Sequence, residues 1–174
     1  MDFFETVRRR GTYRGAFLDR PIPMEDLMDI LDAGRRAPSG YNRQTTSFVV
    51  VTEEALKRQI AALVPDPPVQ TAPVLLLPVT EHWQSDHGLS FEAEDYACAA
   101  ENILLAITAK GYAAVLIDDA EARLYGNADK LAALLHVPPE KQVRAVIPLG
   151  VPAGEVTQRE KKPFEQRVFF NRYA

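Results

Sequence analysis

Four short segments of this sequence gather side chains suited to holding an anion or the polar edge of a ring. Arg10-Gly11-Thr12-Tyr13-Arg14 places two guanidinium groups and a hydroxyl within five residues. Arginine grips phosphate with a planar, always-charged fork, where lysine offers only a point charge. Ala37-Pro38-Ser39-Gly40-Tyr41-Asn42-Arg43-Gln44 carries a hydroxyl and two amides on a turn. Asn and Gln each present donor and acceptor together, matching the mixed edge of a pyrimidine-like ring. Ordinary turn chemistry accounts for the same composition. Gly111 to Asp119 reads as a short strand after a long helix. Gly150-Val151-Pro152 leads to a second basic group, Arg159, Lys161 and Lys162. The two basic groups can meet at one phosphate, although a solvated loop explains the second equally well.

The elements that must position these segments follow from apolar spacing. Phe3, Phe4 and Val7 predict a short helix over Asp2–Arg10, ended by a left-handed Gly11. After the helix-blocking Pro21-Ile22-Pro23, Leu27, Ile30, Leu31 and Gly34 share one face of a second helix. Phe48–Val51 and Val74–Leu77 are β-branched or apolar runs that read as buried strands, the second closed by Pro78. A helix is predicted between them over Glu53–Leu63, and Pro65–Gln70, with three prolines, reads as loop. From Phe91 to Lys110, Ala100, Ile103, Leu104 and Ile107 keep helical spacing, and Gly111 supplies the stop. Ala113–Ile117 and Val143–Leu149 read as further strands, with a helix at Leu131–Leu135 between them. Mixed elements without regular alternation favour α+β over a doubly wound sheet. The tail, Val168-Phe169-Phe170 within Arg167–Tyr173, is apolar enough to need packing, on this chain or on a partner.

Composition narrows the function classes. With 174 residues, 47% hydrophobic and 25% charged, the chain suits one soluble domain, 1–174. No apolar run approaches the roughly 18–20 residues of a membrane span, and MDFFETVRRR lacks the order of a secretory signal; both favour a cytoplasmic protein without membrane association. Cys98 is the only cysteine and reads as a small core residue. The net charge of -4 conceals arginines crowded near the start, which favours a localised anionic ligand over nucleic acid. His82, Trp83, Asp86 and His87 lie before the long helix, but no ligand set with standard spacing completes a metal site. Trp83 is a candidate substrate contact, with surface loop the default.

Taken together, the ordered segments resemble the nitroreductase-like FMN-dependent flavoprotein family over nearly the whole chain. Arg10 to Arg14 stands for its Arg-rich opening motif. Ala37, Pro38, Ser39, Asn42 and Gln44 match its APSxxNxQ motif. Ala72-Pro73-Val74, the helix containing Glu101-Asn102-Ile103-Leu104-Leu105, and Pro148-Leu149-Gly150-Val151-Pro152 before a basic tail follow in order. The resemblance implies an α+β, nitroreductase-like fold: a central mostly antiparallel sheet flanked by helices, in an intertwined homodimer whose C-terminal tail is exchanged onto the partner. It implies FMN at the interface. Arg10, Gly11, Thr12 and Arg14 would hold the phosphate and ribityl chain, with Arg159 and Lys161 joining from the tail. Pro38, Ser39, Gly40, Asn42 and Gln44 would line the ring from the other subunit. Asp118 and Asp119 occupy the place from which backbone N–H groups meet flavin N5.

The implied activity is hydride transfer from NADH or NADPH through FMN to a small electrophilic acceptor, a nitroaromatic or quinone, with no essential catalytic residue of the protein. The alternative is a non-enzymatic FMN carrier or sensor; sustained NAD(P)H oxidation separates the two. This sequence departs from the family pattern at Gly11, at Thr45-Thr46-Ser47, and at Asp119, where a glycine is frequent.

Overall fold

The computed structural model describes residues 1–118 and 123–173. Its sheet is built from β1 (Thr46–Val51), β2 (Val74–Glu81), β3 (Ala113–Ala114), β4 (Ile117–Asp118), β5 (Lys141–Val143) and β6 (Ala145–Gly150). The spatial order is β1-β2-β6-β3, with β4 also on β6 and β5 on β2, and every pairing is antiparallel. The helices are α1 (Phe3–Arg9), α2 (Met24–Arg35), α3 (Glu54–Leu63), α4 (Pro67–Thr71), α5 (Glu92–Ala109) and α6 (Ala128–Leu134). The α+β expectation with an antiparallel sheet holds. Among the described residues no helix is long and apolar enough to cross a membrane.

β2 explains why its sequence is continuously apolar. Successive side chains point to opposite faces of a sheet. Leu75, Leu77 and Val79 enter one core cluster with Ile60 of α3, Val69 of α4 and Leu131 of α6. Val74 and Leu76 enter the other, with Leu27 and Ile30 of α2 and Ile103, Leu104 and Ile107 of α5. The sheet is thus covered by helices on both faces, and no alternation of polar residues is required of its inner strands. β1 differs from its reading as a buried strand: it forms an edge, and Phe48, Val49 and Val50 are only partly covered.

Proline accounts for three boundary corrections. β2 does not close at Pro78 but continues to Glu81. The Pro78 carbonyl accepts from Arg144 N (2.9 Å), the residue separating β5 from β6. The missing proline N–H therefore faces a break in the neighbouring strand, where no ladder bond is lost. That same break splits the predicted Val143–Leu149 strand in two. Pro65–Gln70 is not all loop, because Pro67 and Pro68 sit at the start of α4, where their missing donors cost nothing.

α5 runs nearly as predicted and stops at Gly111, whose φ of 84° is left-handed. Its buried face carries Tyr96, Ala99, Ala100, Ile103 and Ile107. Cys98 falls off that face and is exposed, contrary to its reading as a core residue. The turn at Gly111 brings Lys110 and Tyr112 back against α2. Lys110 Nζ lies 2.8 Å from Asp26 and 2.6 Å from Asp29, and the Tyr112 hydroxyl donates to Asp26 at 2.6 Å.

Desolvation, followed by the hydrogen bond to Asp26, pushes the Tyr112 phenol up to about 12 from its ordinary 10.0. The folded state therefore favours the neutral phenol. This contribution to stability is complete below pH 10 and is lost as pH rises through about 12. Thermal melting followed by circular dichroism should show a loss of stability across that window, and Tyr112→Phe should make the loss shallower. An identical slope in the variant would rule the phenol out as its source.

Candidate functional site

The two ends of the chain meet beside β3 and β6. Beyond α1, residues 11–14 leave in an extended path that alternates: Tyr13 is buried, Thr12 and Arg14 are exposed. Tyr13 N donates to Ala114 O of β3 (2.9 Å). The buried Tyr13 hydroxyl donates to Ala16 O (2.7 Å) and accepts from Gly154 N (3.1 Å). From the other end, the chain leaving β6 pairs with the same segment: Phe17 bridges Pro152, Leu18 N donates to Val151 O, and Ala153 N donates to Ala16 O.

The result is a cleft of about 420 Å³, lined by Arg10, Gly11, Thr12 and Arg14 from one end and by Thr157, Gln158, Arg159 and Lys161 from the other. The two basic groups read separately in the sequence are therefore brought together. Gly11 is needed here for a different reason from the one its position suggests. Its backbone is not left-handed, but a Cβ would lie 2.6 Å from Thr157 O, so only glycine lets the tail pass this closely.

The cleft is rich in cations with little compensation. Arg10 is largely covered, its side chain 22% exposed, and its Nε lies 3.6 Å from the Glu101 carboxylate. Among the described residues no carboxylate pairs with Arg14, Arg159 or Lys161. In a chain of net charge -4, such a convergence is an anion site in search of a charge. A phosphate monoester suits it, with Thr12 and the guanidinium groups as donors.

The Pro-Ser-Gly turn forms a second, separate feature. A crevice of about 140 Å³ is lined by Pro38, Ser39 and Gln44 together with Gly34, Thr46 and Asp95, and it shares no lining residue with the basic cleft. Gly40 and Asn42 lie on the same turn, in a short 3₁₀ segment. Tyr41, Asn42 and Gln44 all have left-handed backbones, with φ of 52°, 54° and 54°. Holding three side-chain-bearing residues there costs energy that something must offset. Asp95 is the answer: buried at the start of α5, it accepts from Gly40 N and from Thr45 Oγ1, both at 2.7 Å. Ser39 Oγ closes the turn by accepting from Gln44 N (3.0 Å). Gly40 packs directly on Phe91, where a Cβ would come within 2.5 Å of the ring. Sequence reasoning missed Asp95, which looks like the ordinary acidic residue of a helix's first turn.

Trp83 packs on this turn. Its ring lies 5.7 Å from that of Tyr41, and the Arg43 guanidinium sits 4.9 Å above it. Asp118 lies apart from both clefts, on β4, where its carboxylate accepts from the buried Tyr96 hydroxyl (2.7 Å). Asp119 lies outside the described residues. Three of the tail's aromatic side chains stay exposed in the single chain: Phe164, Phe170 and Tyr173 show 62%, 80% and 88% of their surface.

A family model described as the nitroreductase family matches residues 7–67 and 61–151. A protein of Methanothermobacter thermautotrophicus, provisionally named an NADH dehydrogenase/NAD(P)H nitroreductase, is 30% identical over 163 residues, covering 92% of this chain and 82% of its own. Nitroreductase A of Vibrio parahaemolyticus superposes with a TM-score of 0.85 at 25% identity, over 100% of this chain and 78% of its own. The NADPH:FMN oxidoreductase of Vibrio harveyi, solved in complex with NAD+, gives 0.84 at 25% identity, over 99% and 78%. The antiparallel sheet flanked by helices is the nitroreductase fold.

Removing the Asp95 carboxylate should release the turn. Asp95→Ala leaves a half-buried N–H and a buried hydroxyl without their charged acceptor, a loss of roughly 1.5–3 kcal/mol per charged hydrogen bond. Urea unfolding should show a midpoint well below wild type, and limited proteolysis should open the chain first between residues 38 and 45. Wild-type resistance at that turn would mean that Asp95 does not hold it.

Proposed function

This chain belongs to the nitroreductase family, and on that premise we propose that it is an FMN-dependent oxidoreductase. In this reading it passes hydride equivalents from NADH or NADPH to a small electrophilic acceptor such as a nitroaromatic or a quinone. The observation that carries the reading is the cleft in which Arg10 and Arg14 from one chain end face Arg159 and Lys161 from the other. A polyanionic headgroup is the ligand chemistry such a cleft favours, and the phosphate of FMN is the one the family implies.

When bound, the flavin supplies the hydride chemistry, and the protein supplies binding, orientation and electrostatics. Arg10, Thr12, Arg14, Arg159 and Lys161, which line one cleft, would hold the phosphate. Glu101 fixes the orientation of Arg10, at the expense of part of its charge. Gly11 clears room for the tail. Pro38, Ser39, Gly40, Asn42 and Gln44 would line the ring from the second subunit, on a turn that Asp95 braces. The family resemblance would assign the contact with its reactive edge to backbone N–H groups at Asp118 and Asp119; Asp118 lies on β4, apart from both clefts. Donors on the turn, the Asn42 and Gln44 amides above all, would be the groups able to stabilise negative charge at the ring edge.

All of residues 1–174 act here as a single nitroreductase-like domain within a homodimer. Exposed aromatic residues at both chain ends, Phe3 and Phe4 as well as Phe164, Phe170 and Tyr173, support a second copy as their cover.

The purified chain should bind FMN more tightly than riboflavin and sustain NAD(P)H oxidation with nitroaromatic or quinone acceptors. Arg14→Ala removes a charge-assisted contact worth roughly 1.5–3 kcal/mol. FMN affinity should then fall about tenfold to a hundredfold, with turnover at saturating flavin largely kept. Equal affinity for riboflavin and FMN would sink the phosphate assignment. Flavin binding without steady-state oxidation of either nicotinamide would leave a carrier or sensor in place of an enzyme. Deleting residues 167–174 should cost dimer and flavin together, read by light scattering and absorbance.

A further inference from the structure

The basic cleft is assembled from chain ends about 150 residues apart, and one neutral side chain stitches them. α1 ends at Arg9, so its last carbonyls lack helical partners. Gln158 Nε2 donates to two carbonyls there, Val7 O at 3.1 Å and Arg10 O at 2.9 Å. Both amide protons of the side chain are thereby used. Arg10 is one of the cleft's cations, and Arg159 is the next residue after Gln158. The amide therefore ties the backbone of one cation directly to that of another.

We propose that Gln158 is a positioning residue for phosphate recognition: it clasps the tail to the end of α1, so that Arg159 and Lys161 stand opposite Arg10 and Arg14 before any ligand arrives. This rests on the FMN reading above, and deepens it by assigning the origin of the cleft's preorganisation. The clasp has to be neutral. A lysine would add to the repulsion among the four cations, and a glutamate would set its carboxylate against two carbonyl oxygens and against the incoming anion. Glutamine supplies two donors with no charge. The close approach of Thr157 O to Gly11 shows how little space separates the two segments. A small slackening there moves the tail cations off the cleft.

Gln158→Met keeps the side-chain length and removes the donors. Three measurements test it on the full-length chain. First, FMN and riboflavin are titrated into apo wild type and variant. FMN affinity should fall about tenfold, the combined effect of two ordinary hydrogen bonds, while riboflavin affinity stays within about twofold. Second, the same substitution is made in an Arg159→Ala/Lys161→Ala background. If Gln158 acts through those cations, its effect on FMN should shrink to less than about twofold there. Third, trypsin cleavage after Arg159 and Lys161 in the apo chain should quicken in Gln158→Met, with the melting temperature lowered by no more than the several degrees that two ordinary hydrogen bonds account for.

Equal loss of both flavins, an undiminished effect in the cation-free background, or unchanged tryptic cleavage each overturns the clasp. So does a Gln158→Met chain that melts early and binds neither flavin, since Gln158 would then serve the fold alone. A wild type that binds riboflavin as tightly as FMN removes the phosphate as the ligand, and the trypsin comparison still decides whether the clasp exists.

Discussion

Like charges do not gather by themselves. Two cations about 4 Å apart near a protein surface repel by roughly 4 kcal/mol. Arg10, Arg14, Arg159 and Lys161 converge on one cleft, and among the described residues Glu101, beside Arg10, is the carboxylate that pairs with any of them. The contacts that join their two chain segments are neutral. Tyr13 ties its segment to Ala16 and Gly154, backbone pairs join residues 16–18 to 151–153, and Gln158 spans the end of α1. These bonds in turn need a rigid edge to grow from, and the short strand β3, laid on β6, provides it. The energy stored in the unpaired cations is what an anion would relieve on binding.

α5 serves both candidate features at once. Asp95 in its first turn fixes the Pro-Ser-Gly turn, and Glu101 further along meets Arg10. Six residues separate them, about 9 Å along the helix axis. They also point in different directions: Asp95 is buried and Glu101 exposed. Lys110 and Tyr112 beyond its far end secure α2, the helix that leads into the turn. A shift of α5 would thus disturb the turn and the basic cleft together. Its long buried face, Tyr96 through Ile107 against the sheet and α2, resists such a shift.

Much of this was legible in the sequence because it is periodic or punctuated. The long helix and its Gly111 stop, α2 with its Leu27–Ile30–Gly34 face, and the inner strands all follow from spacing. The basic segments were legible as anion-seeking, and their meeting was foreseen as one option. What escaped has a common physical cause: it depends on partners distant in the chain. Pro78 ends no strand because Arg144, 66 residues on, is where the neighbour breaks. Gly11 is glycine because Thr157 passes by, not because a helix ends there. Asp95 and Gln158 look locally like a helix-start acid and a loop amide. Cys98 was read as core from apolar neighbours, but a helix buries one face, and composition alone does not say which. The prolines of α4 mislead for a related reason, since a proline forbids the helix interior and tolerates its first turn.

The tail carries two kinds of residue, and they make different demands. Arg159 and Lys161 need only the clasp at Gln158 to reach their place. Phe164, Phe170 and Tyr173 lie beyond it and stay exposed on their own chain, while Phe169, partly covered, meets the Tyr173 ring at a tilt with centroids 4.3 Å apart. An apolar segment held at one end and bare at the other is stable only if something meets it. Cover from a second copy would fix the far end of the same segment whose near end supplies the tail cations. Those cations would then be held from both sides, and dimer formation and cofactor affinity would be linked through this one stretch of backbone rather than through the sheet.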